Sequence, residues 1–404
     1  MSPVLKEIEN SFSESWNRIV NILEKMFETE TVLINSVDNS KIQVIKSGGE
    51  GEKYFDKNKE YSLQEVYCEK VVKDKEMLEI NNAAGKDRWK GYAAVKAGLI
   101  SYLGFPILNP EGEVVGTICV EDNNERYFTE TEKDLIYQFK EVIENQIKQL
   151  DLTRQLEENL ERGKQLHKQY LPSHFPEVDE LDFATYYQAA EKLGGDFYDV
   201  LEQENKILFY ISDVSGHDLS SAMLNIFLKE NIHSYLIYHK EKENYLSPAD
   251  IIDHVTEHFR EKDFPPDYFI SIIVGVLDLK NFRVRLSNAG FQYPPLITGN
   301  DGSISTIFCK GRPVTILNGN IDYPECSYFL QPGDTLCLNT DGLFEQTNIK
   351  AEFYGEKRVV KLLYENADLG PETILNKIYN DFFNFKEGTR LQDDLTSLLI
   401  QRKK

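Results

Sequence analysis

Ile207-Leu208-Phe209-Tyr210-Ile211-Ser212-Asp213-Val214-Ser215-Gly216-His217 reads as a strand that ends in a carboxylate and breaks at a glycine. The apolar run suits a buried strand, and the turn after it can present the Asp213 carboxylate and the Val214 carbonyl to one ion before a helix begins near Leu219-Ser220-Ser221. Working outward, Gly194-Gly195-Asp196-Phe197-Tyr198-Asp199 places Asp196 17 positions before Asp213, bracketing a hairpin through Glu202-Gln203-Glu204-Asn205. Two paired strands bring their far ends together, and Gly194 and Gly195 let backbone approach closely. A second strand-like run, Thr335-Leu336-Cys337-Leu338, leads into Thr340-Asp341-Gly342, and Asp393-Asp394-Leu395-Thr396 precedes Leu398-Leu399-Ile400. A single Asp-Gly or Asp-Asp pair is ordinary turn chemistry. Four such clusters, each at a strand edge, describe an oxygen-only pocket for hard divalent cations. Two ions about 3.5–4 Å apart sharing a carboxylate would acidify a water and neutralise charge on a phosphoryl group.

Length and composition fit that reading. The chain has 404 residues, enough for two or three cores, and 41% hydrophobic with 12% aromatic content marks it as globular. A net charge of −22 leaves no basic surplus for phosphate backbones, so nucleic acid is excluded as a partner. Cys68, Cys119, Cys309, Cys326 and Cys337 are scattered, without a C-x-x-C pair, which fits a reducing compartment and excludes a thiolate zinc site. Met1-Ser2-Pro3-Val4-Leu5-Lys6-Glu7 has no apolar leader core, and no stretch reaches the roughly 18–20 apolar residues of a membrane span. The expectation is a cytoplasmic protein that does not enter the membrane.

Residues 1–128 read as one α/β unit. Trp16, Ile19, Val20, Ile22, Leu23 and Phe27 recur at helical spacing, and Thr31–Ile34 and Lys41–Ile45 read as strands around an Asn39-Ser40 turn. Leu103–Leu108 and Val114–Val120 form a hairpin about Asn109-Pro110-Glu111-Gly112. From Thr129, capped by Glu132, apolar residues recur in mostly three-, four- and seven-residue steps to Leu166, with no proline until Pro172. Residues 129–172 are thus a long helical linker. It is either a terminal domain helix plus a separate linker helix, or a short parallel coiled coil, interrupted at Gly163, that makes a homodimer. A third domain occupies 173–404, with helices expected near 218–239, 248–261, 356–366 and 371–384.

The third domain resembles the SpoIIE-type members of the metal-dependent PPM serine/threonine phosphatases. The resemblance rests, in order, on Gln169-Tyr170-Leu171-Pro172, Leu193–Asp199, Ser212–His217, Tyr268-Phe269-Ile270 with Gly275-Val276-Leu277-Asp278, and Asn288-Ala289-Gly290 with Pro294-Pro295-Leu296. Gly333-Asp334, Thr340–Glu345, Phe353-Tyr354-Gly355 and Asp393–Thr396 complete it. The resemblance implies an αββα sandwich holding two Mn²⁺ or Mg²⁺ ions, with Asp213 bridging, Val214 giving its carbonyl, and Asp196, Asp341 and Asp393 completing the cage. Asp199 and Asp394 stand behind these ligands. It further implies hydrolysis of phosphoserine or phosphothreonine by activated water, with Asp213 and Asp341 as the catalytic metal ligands, on a phosphorylated anti-sigma-factor antagonist. The chain departs from the family where Asp218 follows His217 and where Phe291-Gln292 follows Gly290. His217 is either a proton donor to the leaving oxygen or a helix-start residue.

Residues 1–128 resemble a GAF sensor domain, through Ala97–Ile107, Gly112–Val120 and Asp122. That resemblance implies a dimerising or small-ligand-binding module, for which Trp89, Tyr92, Phe105 and Cys68 are candidate pocket residues and no cofactor is named. The chain is therefore expected to be of the α+β class: a GAF α/β domain, a helical linker and a PPM sandwich. Two rival readings fit the sequence less well. A nucleotide cyclase needs an acidic residue where Phe197 stands. A catalytically silent phosphoprotein-binding sensor of the same fold leaves the intact acidic set without a purpose.

Overall fold

The structure is a computed structural model that describes residues 3–57, 59–191, 193–216, 219–239, 246–262, 264–317 and 321–404, with side chains from residue 11 onward. The chain divides into two compact units, Met1–Glu157 and Glu158–Lys404.

The first unit runs α1 (Pro3–Phe27), β1 (Thr31–Asp38), β2 (Lys41–Gly49), α2 (Gly51–Tyr54), β3 (Glu60–Ser62), α3 (Cys68–Asp74), β4 (Leu78–Ile80), α4 (Ala93–Lys96), β5 (Ser101–Leu108), β6 (Val114–Asp122) and α5 (Glu130–Tyr170). Its six strands form one antiparallel sheet in the order β3-β2-β1-β6-β5-β4. Trp16, Leu23 and Phe27 of α1 with Ile136, Ile143 and Ile147 of α5 cover one face. Tyr67, Cys68, Trp89 and Leu99 pack on the other. Alternation along β5 therefore separates Phe105 from the other candidate pocket residues: Phe105 joins the α1–α5 face, whereas Tyr102, an odd number of positions away, shares the face of Cys68 and Trp89. The cap expected for α5 is present: Thr129 N donates to Glu132 Oε2 at 2.7 Å and Glu132 N to Thr129 Oγ1 at 3.3 Å. The helix then continues through Gly163 for 41 residues.

The second unit continues β7 (Leu181–Gln188), β8 (Asp196–Gln203), β9 (Lys206–Val214), α6 (Leu219–His239), α7 (Pro248–Glu261), β10 (Ile270–Asp278), β11 (Arg283–Ala289), β12 (Leu296–Thr298), β13 (Ile304–Thr306), β14 (Glu325–Phe329), β15 (Thr335–Asn339), α8 (Asp341–Glu345), α9 (Glu356–Glu365), α10 (Pro371–Lys386) and β16 (Leu395–Arg402). Two five-stranded sheets form, β14-β11-β10-β9-β8 and β13-β12-β15-β16-β7. Phe209, Ile211 and Ile273 of the first meet Ile297, Leu336, Leu338, Leu398 and Ile400 of the second in the layer between them. Leu228, Ile232, Ile251 and Phe259 of α6 and α7 cover the outside of the first sheet. Val359, Leu363, Ile378 and Phe382 of α9 and α10 cover the outside of the second. Strand residues buried on both faces explain the unbroken apolar runs in β9 and β15. The result is the four-layered αββα sandwich. Its acidic motifs stand at the starts of β8, α8 and β16 and at the end of β9.

Candidate metal centre

The β8–β9 hairpin puts the first two acidic clusters side by side. Asp196 and Asp213 are direct register partners, and the strands reverse through Glu204-Asn205, with Glu204 at φ 55°. Val214 closes β9, its N–H bonded to Gly195 O at 3.1 Å. A Cβ on Gly195 would lie 2.7 Å from Val214 O and 2.5 Å from Gly216 O, so only glycine lets these loops meet. In the other sheet, a Cβ on Gly342 would lie 2.0 Å from Asp394 O; the Thr340-Asp341-Gly342 and Asp393-Asp394 segments are therefore in backbone contact. Asp341 follows β15 directly, as expected, but opens the short helix α8 rather than a bare turn.

Each buried carboxylate in this region has an identifiable anchor. Asp196, 2% exposed, accepts from Thr340 Oγ1 and Thr396 Oγ1, both at 2.7 Å, which ties β8 to the opposite sheet. Asp394, equally buried, accepts at Oδ2 from Gly195 N at 2.6 Å and Asp196 N at 3.2 Å, and at Oδ1 from Ala190 N at 2.7 Å. Asn225 of α6 takes the carbonyls of the same segment, donating to Gly195 O at 3.0 Å. Asp199 faces the other way. Lys229 Nζ lies 3.0 Å and His233 Nε2 3.7 Å from its Oδ2, and Lys229 also donates to Tyr170 O at 2.6 Å. Burial works against ionisation of Asp199, but His233 and Lys229 hold its carboxyl below the usual range.

The electrostatics separate Asp199 from the others. Burial first, then Asp341, Asp393 and Asp394, pushes Asp213 up to about 8. Burial, then Asp393 and Glu345, pushes Asp341 up to about 6. Asp196 is raised well above the ordinary carboxylate value by burial, Asp213 and Asp394, against the pull of the two threonine hydroxyls. Carboxylates that destabilise one another are suited to a cation between them, and an all-oxygen donor set of Asp196, Asp213, the Val214 carbonyl, Asp341 and Asp393 suits a hard divalent ion. Asp393 is exposed at the rim. Among the described residues no three acidic, histidine or cysteine side chains are close enough together to grip an ion as they stand. The positions converge, but the side chains are not closed on a common point.

His217, with Asp218, lies outside the described residues. Thr340, Thr396, Asn225 and Lys229 had no role in the sequence reading. Thr340 and Thr396 lie inside quoted motifs but look like ordinary strand threonines, and nothing in sequence separates Asn225 or Lys229 from other helix residues.

Both units are similar to known proteins. Residues 203–403 match the family model of Stage II sporulation protein E (SpoIIE), and residues 11–141 match that of the GAF domain. Asp196 and Asp199 precede the matched segment, so their placement rests on the hairpin. The chain is 23% identical over 286 residues to Protein IcfG of Synechocystis sp., covering 66% of this chain and 44% of that protein. It is 19% identical over 252 residues to Phosphoserine phosphatase RsbU of Bacillus subtilis, covering 62% and 72%. The SiaA-PP2C domain of Pseudomonas aeruginosa shares the fold, at 19% identity and TM-score 0.54, over 63% of this chain and 99% of that one. No helix among the described residues is long and apolar enough to cross a membrane.

Proposed function

Because the chain joins a GAF domain (residues 11–141) to a SpoIIE-type phosphatase domain (residues 203–403), we propose that it is a metal-dependent protein serine/threonine phosphatase whose sensor domain governs the catalytic one. The observation that carries the reading is the meeting of Asp196, Asp213, Asp341 and Asp393 at one end of the sandwich, with carboxylates that raise one another's proton affinity. Asp196, Asp213, Asp341, Asp393 and the Val214 carbonyl would hold two Mn²⁺ or Mg²⁺ ions. Bound ions supply an acidified water and neutralise phosphoryl charge. The residues behind them have separate duties. Thr340 and Thr396 orient Asp196, Asp394 and Asn225 fix the Gly194–Asp196 backbone, and Asp199 is engaged by Lys229 and His233.

The substrate we propose is a phosphoserine or phosphothreonine on a regulatory protein of the anti-sigma-factor-antagonist kind, in the cytoplasm, where five free cysteines are at home. The similarity to a protein named a phosphoserine phosphatase supports that class. We also propose a homodimer through α5, because Leu152, Leu156 and Leu166 are 55%, 60% and 60% exposed on it. A small ligand at the GAF domain remains part of the proposal, with Cys68 on a cavity wall rather than Phe105.

One alternative keeps the same fold without chemistry: a sensor that binds phosphoprotein without turnover. Turnover of p-nitrophenyl phosphate and of a phosphoserine peptide with added Mn²⁺ separates the two. Asp213→Ala and Asp341→Ala should each abolish it. Wild-type protein that neither binds Mn²⁺ by calorimetry nor turns over sinks the enzyme reading.

A further inference from the structure

The buried face of the GAF sheet holds a thiol environment that the phosphatase reading does not use. Cys68, at the start of α3, accepts at Sγ from Tyr102 OH at 3.4 Å, Thr117 Oγ1 at 3.5 Å and Asn35 Nδ2 at 3.8 Å. Asn35 Nδ2 also reaches Cys119 Sγ at 3.5 Å, so one amide contacts both sulfurs. A sulfur ringed by donors is arranged for the thiolate. We propose that Cys68 is an oxidation site for small hydroperoxides and that Cys119 resolves the product into an intramolecular disulfide.

Cys309 and Cys326 show the opposite arrangement, and Cys337 accepts from one donor alone, Asn339 Nδ2 at 3.2 Å. Cys309 donates to Pro324 O at 3.1 Å and Leu286 O at 3.4 Å, and Cys326 donates to Phe308 O at 3.1 Å. A thiol bonded to a carbonyl keeps its proton. Burial pushes Cys337 up to about 12. For Cys68 the Cys119 hydrogen bond, with those of Thr117 and Tyr102, outweighs burial and draws the thiol below its ordinary value.

Beside the sulfur lies a cavity of about 20 Å³ whose wall includes Cys68, Asn35, Val66 and Glu121. A void of that size holds a water-sized guest and excludes bulky thiol reagents. Glu121 Oε2 has no hydrogen-bond partner among the described residues, and burial keeps that carboxyl protonated well above the usual range. In the first step the Cys68 sulfur attacks one peroxide oxygen; an S–O bond forms, the O–O bond breaks, and the departing hydroxide takes a proton to leave as water. In the second the Cys119 sulfur attacks the Cys68 sulfur of the sulfenic acid and a second water leaves. Two thiols become one disulfide and one hydrogen peroxide becomes two waters. The bond joins the first residue of α3 to β6.

The test treats the full chain with stoichiometric hydrogen peroxide, quenches with N-ethylmaleimide in denaturant so that every thiol is reached, and maps peptides by mass spectrometry. A Cys68–Cys119 crosslink, reversed by dithiothreitol, is expected to form at least about tenfold faster than any product at Cys309, Cys326 or Cys337. Cys119→Ser should stop at a sulfenic acid on Cys68 that dimedone, added together with denaturant, traps. Faster oxidation of the more exposed Cys326, or oxidation of Cys68 no faster than Cys337, overturns the proposal. These rates are read on wild-type protein, so a variant that fails to fold does not blunt the test.

Discussion

Replacing Asp394 tests the claim that this side chain, which gives nothing to the rim of the site, holds the site's backbone. Its carboxylate receives three backbone N–H groups, from Ala190, Gly195 and Asp196, at 2.7, 2.6 and 3.2 Å. A hydrogen bond to a charged acceptor is worth about 1.5–3 kcal/mol, and a buried donor left unpaired adds a desolvation cost. Ala190 is half-buried and water can replace part of its bond, so Asp394→Ala should cost about 4–6 kcal/mol. Asp394→Asn keeps one accepting oxygen but turns an N–H₂ toward one of the donors, and should lose about half as much. Both tryptophans, Trp16 and Trp89, lie in the first unit, so their fluorescence follows that unit, whereas far-UV circular dichroism follows both. Urea titration of Asp394→Ala should move the dichroism transition of the second unit to lower urea and leave the fluorescence transition in place. Mn²⁺ affinity should fall as well, because Gly195 and Asp196 lose their anchor. A dichroism shift equivalent to under about 1 kcal/mol, or an equal shift in fluorescence, would refute the reasoning.

Thr340→Val or Thr396→Val, each deleting one 2.7 Å bond to Asp196, should cost the second unit about 1–2 kcal/mol by the same titration and weaken Mn²⁺ binding without altering the GAF transition. Glu121 has a folded-state proton affinity above its unfolded one, so its stabilising share is complete below the unfolded value and disappears as pH rises through the folded one; the fluorescence melt of the first unit should drop with rising pH, and Glu121→Gln should flatten that slope. Changing Leu152, Leu156 and Leu166 together to serine should turn a dimer into a monomer by light scattering, because each leucine buried between chains contributes roughly 1.5–3 kcal/mol.

Local pairing was legible in the sequence and long-range pairing was not. The Asp196–Asp213 contact follows from two runs of strand residues and a two-residue reversal, all within a short stretch. The cap of α5 follows from Thr129 and Glu132 alone. The threonines that hold Asp196 stand 144 and 200 positions away, and only the packing of one sheet on the other brings them there. Asp394 was placed behind the ligands because it adjoins Asp393; that it gathers three N–H groups depends on where the loop before β8 crosses β16. Phe105 lies off the expected pocket face because strand parity, which aromatic character alone does not carry, decides the side it takes.

Lys229 has a mechanical consequence. Its ammonium sits between the last carbonyl of α5, at Tyr170, and Asp199 on the strand that Asp196 begins. His167, one turn earlier, lays its ring against Phe197 with centroids 6.0 Å apart. Polar contacts of this kind weaken within about an ångström of displacement, unlike apolar surfaces, which slide. The end of the helix and β8 therefore behave as a bolted joint, and a torque applied to the final turn of α5 is delivered to the strand of Asp196 without slack.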